Sequence, residues 1–279
     1  MNREFPVSGG KVGFKVDPTP YDAFKTALED EGFAKHCPNP RTDASALVVV
    51  TKAAAGKDTK VVARKKAKQN GIDAFHVDKK TYDHAEFEHK LHTQVVGSSV
   101  CRDGRKDYEL TEEFLKTKAV LTAGAITKAL KSILCDELHG LPDFDSRRIY
   151  VPEASLPRWS ELAARLFGRY DDCGNLIAEG ICGGEYVVDM VQINATTIRQ
   201  IKSALEERIN ERAVKIVMDV SKGTLSKDQL AKRVEEGHEM LAEISLYAEV
   251  LQETLEGLHK SAEAVTDMAS VAAFADMAS

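Results

Sequence analysis

SKDQLAKRVEEGHEMLAEISLYAEVLQETLEGLHKSAEAV, residues 226–265, spaces Leu230, Val234, Gly237, Leu241, Ile244, Ala248, Leu251, Leu255, Leu258, Ala262 and Val265 in alternating steps of four and three. That spacing is a heptad seam, the pattern of a helix that buries one continuous stripe. Ser226 with Gln229 forms a capping-box start for it. Upstream, Asn194 can cap a helix carrying Ile198, Ile201, Leu205, Ile209, Ile216 and Val220, and the chain turns at SKGTLS. Two helices joined by so short a turn predict an antiparallel, coiled-coil-like helical hairpin over 194–279.

The flanks of the seam are not those of an ionic zipper. Met240, Tyr247, Thr254, Ser261 and Met268 lie on one side and Ala231, His238, Ser245, Gln252 and His259 on the other, where paired Glu and Lys would be expected. The buried stripe is therefore wide enough for a three- or four-helix packing, within the chain or between subunits. The second helical pattern also outruns the first by roughly 20 Å at helical rise. The surplus predicts an interaction seam of Val234, Leu241, Ile244, Tyr247, Leu251, Leu255, Leu258 and Val265. Its occupant would be a second copy or a protein partner. The tail TDMASVAAFADMAS, which repeats Asp-Met-Ala-Ser, is apolar enough to dock and equally suited to fray.

Before the hairpin, 109–193 reads as a middle α+β domain. Thr111 opens a long helical pattern ending at Gly140, with Leu115, Ala119, Ile126, Leu130, Ile133, Leu134 and Leu138 on its apolar face. Ile149 to Val151 reads as a strand stopped by Pro152, then a helix entered through Pro157 and closed by Gly168. NLIAEGIC and GEYVVDMVQI, separated by Gly183-Gly184, suggest a further hairpin.

Residues 1–108 read as an N-terminal α+β domain. YDAFKTALEDEGF predicts a short amphipathic helix, and Asp43 can cap ASALVVVTKAAAG, whose length and alanines favour helix over strand. KVVARKKAKQNGIDAFHVDKK (60–80) holds two strand-like runs around Asn70-Gly71, a type I′ hairpin signal. With EFEHKLHTQVVG it predicts a β-meander over 59–97, and CRDGRKDYE reads as a linker. The fold class is thus α+β, with small antiparallel sheets, packed helices and the long C-terminal helical hairpin.

A chain of 279 residues can bury a core without staples. Its net charge of −6 argues against a protein coated in nucleic acid while leaving room for a local basic patch. Five scattered cysteines fit reduced, cytoplasmic thiols better than a disulfide frame. The opening MNREFPVSGG lacks a signal peptide's apolar run, and no stretch has the length of a membrane span.

The candidate chemistry is sparse. Arg64, Lys65, Lys66 and Lys68, followed by Lys79 and Lys80, can contact phosphates, with Phe75 stacking on a base. Lys57 and Lys60 precede them, and the same lysines would also serve a solvated sheet face. His84, His89 and His92 lack a thiol or acid placed to complete a metal set, and Cys173 and Cys182 are too far apart for a paired-ligand turn. Glu and Asp clusters such as RVEEGHE read as helix surface. No phosphate loop, nucleophile elbow or dinucleotide fingerprint occurs. No catalytic residue, metal ligand or cofactor is assigned.

RRIYVPEASLPRWSELAARL (147–166) resembles a strand-Val-Pro-helix segment of uncharacterised bacteriophage and mobile-element proteins. The resemblance implies a phage or bacterial cytosolic setting and carries no activity. The expectation is a non-catalytic interaction or assembly protein working through its C-terminal helices, as a homo-oligomer or with a protein partner, and without a membrane. The alternative is a nucleic-acid-binding accessory protein using the basic hairpin 57–80.

Overall fold

The computed structural model describes residues 7–55, 59–65, 75–81, 93–96, 98–102, 105–145, 148–170, 173, 175–192, 194–251 and 255–277. In chain order its first elements are β1 (Val7–Val16), β2 (Thr19–Pro20), α1 (Tyr21–Asp30), α2 (Asp43–Ala55), β3 (Thr59–Lys65), β4 (Phe75–Thr81), β5 (Thr93–Val96), β6 (Ser99–Arg102) and β7 (Arg105–Lys106). Next come α3 (Tyr108–Lys118), β8 (Val120–Leu121), α4 (Ala123–Ser132), a π turn (Ile133–Glu137), β9 (Leu141–Asp145), β10 (Arg148–Pro152), α5 (Leu156–Phe167), β11 (Gly168–Tyr170) and β12 (Leu176–Glu179). The last are β13 (Gly184–Gln192), α6 (Ala195–Ser221), α7 (Lys227–Leu251) and α8 (Glu256–Met277). The α+β class with small antiparallel sheets is as expected.

The chain groups into two compact units assembled from non-consecutive segments, where the sequence reading takes consecutive blocks. One comprises 1–15, 130–164 and 184–279; the other comprises 16–129 and 165–183.

The first unit is a four-stranded sheet in the order β13-β1-β10-β9, with α6, α7 and α8. Its inner strand β1, VSGGKVGFKV, carries three glycines and so has little local strand signal. Each glycine makes room for a neighbour. A Cβ on Gly10 would stand 2.7 Å from a Val188 methyl, one on Gly9 2.9 Å from the Tyr150 hydroxyl, and one on Gly13 3.4 Å from the Arg148 stem. Gly9-Gly10 is therefore strand, although paired glycines are commoner in turns. GEYVVDMVQ pairs with β1, and LIAE pairs with β11, so NLIAEGIC and GEYVVDMVQI do not form the expected hairpin. Such pairings across the sequence leave no local trace.

The C-terminal third corrects the expected two-helix hairpin. Asn194 caps α6 as read, its side chain accepting from Thr196 and Thr197 N–H at 3.0 Å each. Gly223, at φ 64°, supplies the left-handed residue that ends the helix. Ser226 and Gln229 close the capping box, at 2.8 Å from Ser226 N–H to Gln229 Oε1 and 3.4 Å in return. The long second helix, however, is two. α8 packs on both α7 and α6, so Leu251 and Leu255, on either side of 252–254, are both buried. A heptad marks which face each turn buries and is silent on whether the axis continues, which is why one seam served for two helices.

In the second unit the long helix expected from Thr111 is broken. Val120–Leu121 pairs with Thr19–Pro20 as β8 and β2, and Thr122 Oγ1 accepts from Ala125 N–H at 3.1 Å to start α4 afresh. Leu115, expected in the core, is 45% exposed. The helix favoured for ASALVVVTKAAAG is present as α2 (Asp43–Ala55), although Thr42 rather than Asp43 caps it, accepting from Ser45 N–H at 3.3 Å. The meander is a five-stranded sheet, β3-β4-β5-β6-β7. It uses Cys101–Arg102 and Arg105–Lys106, which were read as linker, and Asp107 caps α3 by accepting from Leu110 N–H at 3.0 Å. Asn70-Gly71 and most of 86–97 lie outside the described residues.

Candidate functional site

Two places concentrate charge. The first is a cleft of ≈ 690 Å³ along α6 and α7, lined by Asp136, Glu207, Arg208, Glu211, Arg212, Lys215, Glu236 and Glu239 among others. Beneath the paired arginines lies Glu243, 1% exposed. Arg212 Nη1 donates to Glu243 Oε2 at 2.9 Å, and Arg208 Nε stands 3.1 Å from Oε1. Burial pushes the Glu243 carboxyl up, with Arg208 and Arg212 opposing. The remaining Arg208 donors reach the carbonyls of Gly140 at 2.6 Å and Cys135 at 2.5 Å. Tyr247, from α7, donates to the His139 carbonyl at 2.6 Å. Arg208 thereby ties α6 to the 133–140 turn, and Arg212 ties α6 to α7 through Glu243 and Glu239. The signal was present as two i, i+4 pairs, Arg208/Arg212 and Glu239/Glu243, that face each other.

The second is the five-stranded sheet. Its register pairs Lys60 with Lys80, Arg64 with His76, and Lys65 with Phe75. It continues His76 with Gln94, Gln94 with Cys101, and Cys101 with Lys106. Directly opposed residues share a face and neighbours along a strand alternate. Lys60, Arg64, Lys80 and Lys106 thus take register positions on one face, with Asp78 its one acid. The other face is that of Val95 and Val100, 1% and 0% exposed, which join Leu47 and Val50 of α2 and Leu110 and Phe114 of α3 in one core cluster. On the Lys60 face, Ser99 and Cys101 are half-buried and Lys106 is exposed, its Nζ 4.8 Å from the centroid of the Tyr108 ring.

The register divides the basic residues singled out in the sequence. Arg64 and Lys80 fall on the Lys60 face; Lys65, Phe75 and Lys79 take positions on the face of Val95, so Phe75 does not share a face with Arg64. Lys66 and Lys68 lie outside the described residues, as do Lys57, His84, His89 and His92. Lys106, which the linker reading passed over, joins the set through β7.

All eight residues of the expected interaction seam lie in one cluster of the chain's own core. Ile244, Tyr247, Leu251 and Leu255 are buried, and Val234, Leu241, Leu258 and Val265 pack partly buried against them. The three C-terminal helices α6, α7 and α8 of the same chain cover one another there. Cys173 is exposed and Cys182 buried. Among the described residues no group of three or more His, Cys, Asp or Glu is placed to hold a metal. No helix there is long and apolar enough to cross a membrane.

No family model, curated protein or solved structure matches the chain, and nothing bears on the resemblance of 147–166 to mobile-element proteins.

Proposed function

We propose that the chain is a nucleic-acid-binding accessory protein that lays the Lys60 face of its five-stranded sheet along a phosphodiester backbone. One observation carries the reading. The register gathers Lys60 and Arg64 of β3, Lys80 of β4 and Lys106 of β7 onto the face opposite the α2–α3 core. Lys60 stands directly across from Lys80, and like charges in opposed positions destabilise a sheet unless an anion offsets them. Arg64 lies four residues along from Lys60, ~13 Å at strand rise, so the set spans several phosphates. Among the described strand residues no Phe, Tyr or Trp takes a position on this face, so contact is chiefly to the backbone and independent of sequence.

Fluorescence anisotropy with single-stranded and duplex oligonucleotides, DNA and RNA, across a salt series tests the reading. With about four phosphate contacts, the logarithm of affinity falls by roughly three for each tenfold rise in salt. The double variant Lys60→Glu/Lys80→Glu abolishes binding, whereas Lys52→Glu, on the helix over the other face, leaves it intact. Failure of the unaltered protein to bind at low salt sinks the reading, as does an equal loss in both variants.

A second reading, an assembly protein that self-associates, rests on the outer edge of β13 rather than on the C-terminal seam.

A further inference from the structure

Building on the self-association reading, we propose that β13 pairs antiparallel with β13 of a second copy about a twofold axis at Val188, joining two four-stranded sheets into one. β13 is the outer strand of its sheet, hydrogen-bonded to β1 on one side and to no described strand on the other. An outer strand presents unpaired backbone donors and acceptors, and folded proteins usually guard it with lysine, proline or brevity. GEYVVDMVQ has no lysine and no proline over its nine residues, and exposes Val187 at 43% and Met190 at 56%. Its two charges are both acidic, Glu185 and Asp189, and Asp189 is held by Arg148.

Those acids choose the partner and the register. A twofold axis normal to the sheet sets each residue opposite one of like parity, so the nearly full-length registers centre on Val187, Val188 or Asp189. Centred on Val187, Glu185 faces Asp189 of the second copy twice over. Centred on Asp189, the two Asp189 side chains oppose each other. Directly opposed like charges destabilise both arrangements. Centred on Val188, Glu185 meets Val191, Asp189 meets Val187, and Tyr186 meets Met190, a thioether–aromatic contact. No like charges are then opposed, and the exposed Val187 and Met190 both gain cross-strand neighbours. The strand is complementary to itself in this register, which gives an isologous dimer.

Sedimentation equilibrium over a wide concentration series, in moderate salt and without nucleic acid, tests the proposal. The unaltered chain is expected to dimerise. Val187→Lys sets a cation against Asp189 of the second copy and shifts dimerisation to lower concentration; Val187→Glu, at the same exposed site, sets a second anion there and abolishes it. Circular dichroism checks that both variants keep the fold. A chain that associates equally well in all three forms keeps the self-association reading and overturns the β13 interface. Val187→Lys and Val187→Glu weakening association alike overturns the Val188 register and with it the proposal. A monomer at every concentration ends both.

Discussion

Tyr247 donates from its hydroxyl to the backbone carbonyl of His139 at 2.6 Å, fixing α7 to the turn that leads into β9. The ring lies 6.3 Å from that of Tyr150, whose own hydroxyl donates to the Ser8 carbonyl at 2.6 Å. Burial raises both phenols, Tyr150 to about 12 and Tyr247 well above its ordinary value, so both stay donors at any ordinary pH. Tyr247→Phe keeps the packing and orphans one buried carbonyl, and a loss of about 1–3 kcal/mol follows. Urea denaturation measures it, and an unchanged midpoint refutes the bond's role.

Glu243 is the counter-charge of two arginines in a place water does not reach. Glu243→Gln leaves Arg208 and Arg212 without it, at a cost of about 3–5 kcal/mol. Glu239→Gln, removing the exposed partner of Arg212, costs at most about 1 kcal/mol. Thermal or chemical unfolding of the two variants separates a buried network from a surface one.

His139 holds the left-handed backbone at φ 54°. Burial, then Arg208 and Arg212, push its imidazole below the usual histidine range, with Glu137 and Glu239 opposing. The folded-state value lies under the unfolded one, so the unfolded chain takes the proton first as pH falls. The His139 contribution is therefore complete above the ordinary value of ~6.5 and is lost progressively below it. Urea midpoints measured down through that range should fall, and His139→Asn, which tolerates the same backbone, should flatten the decline.

Gly237 lets α7 and α8 meet. A Cβ there would press on Thr266, whose own Cβ would lie 3.0 Å away and whose branching leaves little freedom to yield. Gly237→Ala should destabilise by about 1–3 kcal/mol despite alanine's helix propensity. Gly257, in α8 with nothing within 4 Å of such a Cβ, should accept alanine without loss. Equal effects at the two sites, read by thermal unfolding, would contradict the close helix contact.

Thiol labelling of the native chain, followed by peptide mass spectrometry, should modify Cys173 first and Cys182 last. Cys173 is exposed, whereas Cys182 is buried and burial raises its thiol, lowering the thiolate fraction that reacts.

What the sequence revealed was local. The caps at Asn194 and Ser226, the stop at Gly168 and the helix entered by Pro157 are decided within a few residues, and each stands where it was read. The failures are of another kind. β1 looked like turn because its glycines answer to Tyr150, Val188 and Arg148, residues far along the chain. The broken helix at Val120 answers to Thr19 and Pro20, and α8 turns back after a seam that is equally regular on both sides of 252–254. The basic residues were half legible for the same reason: alternation separates Arg64 from Lys65, but bringing Lys106 onto the face of Lys80 takes three further strand pairings. Glu243 escaped because its two cations come from another helix.

The inner strand of the first unit also sets an order of events. Ser8 and Tyr150, joined by a hydrogen bond, are 142 residues apart, and closing a loop of that length costs entropy before any contact repays it. The C-terminal helices need no such closure, so they are expected to condense early and the sheet to close late. Until the first strand arrives, β10 and β13 present an open slot between them, and a synthetic peptide of residues 7–16 should compete for it during refolding.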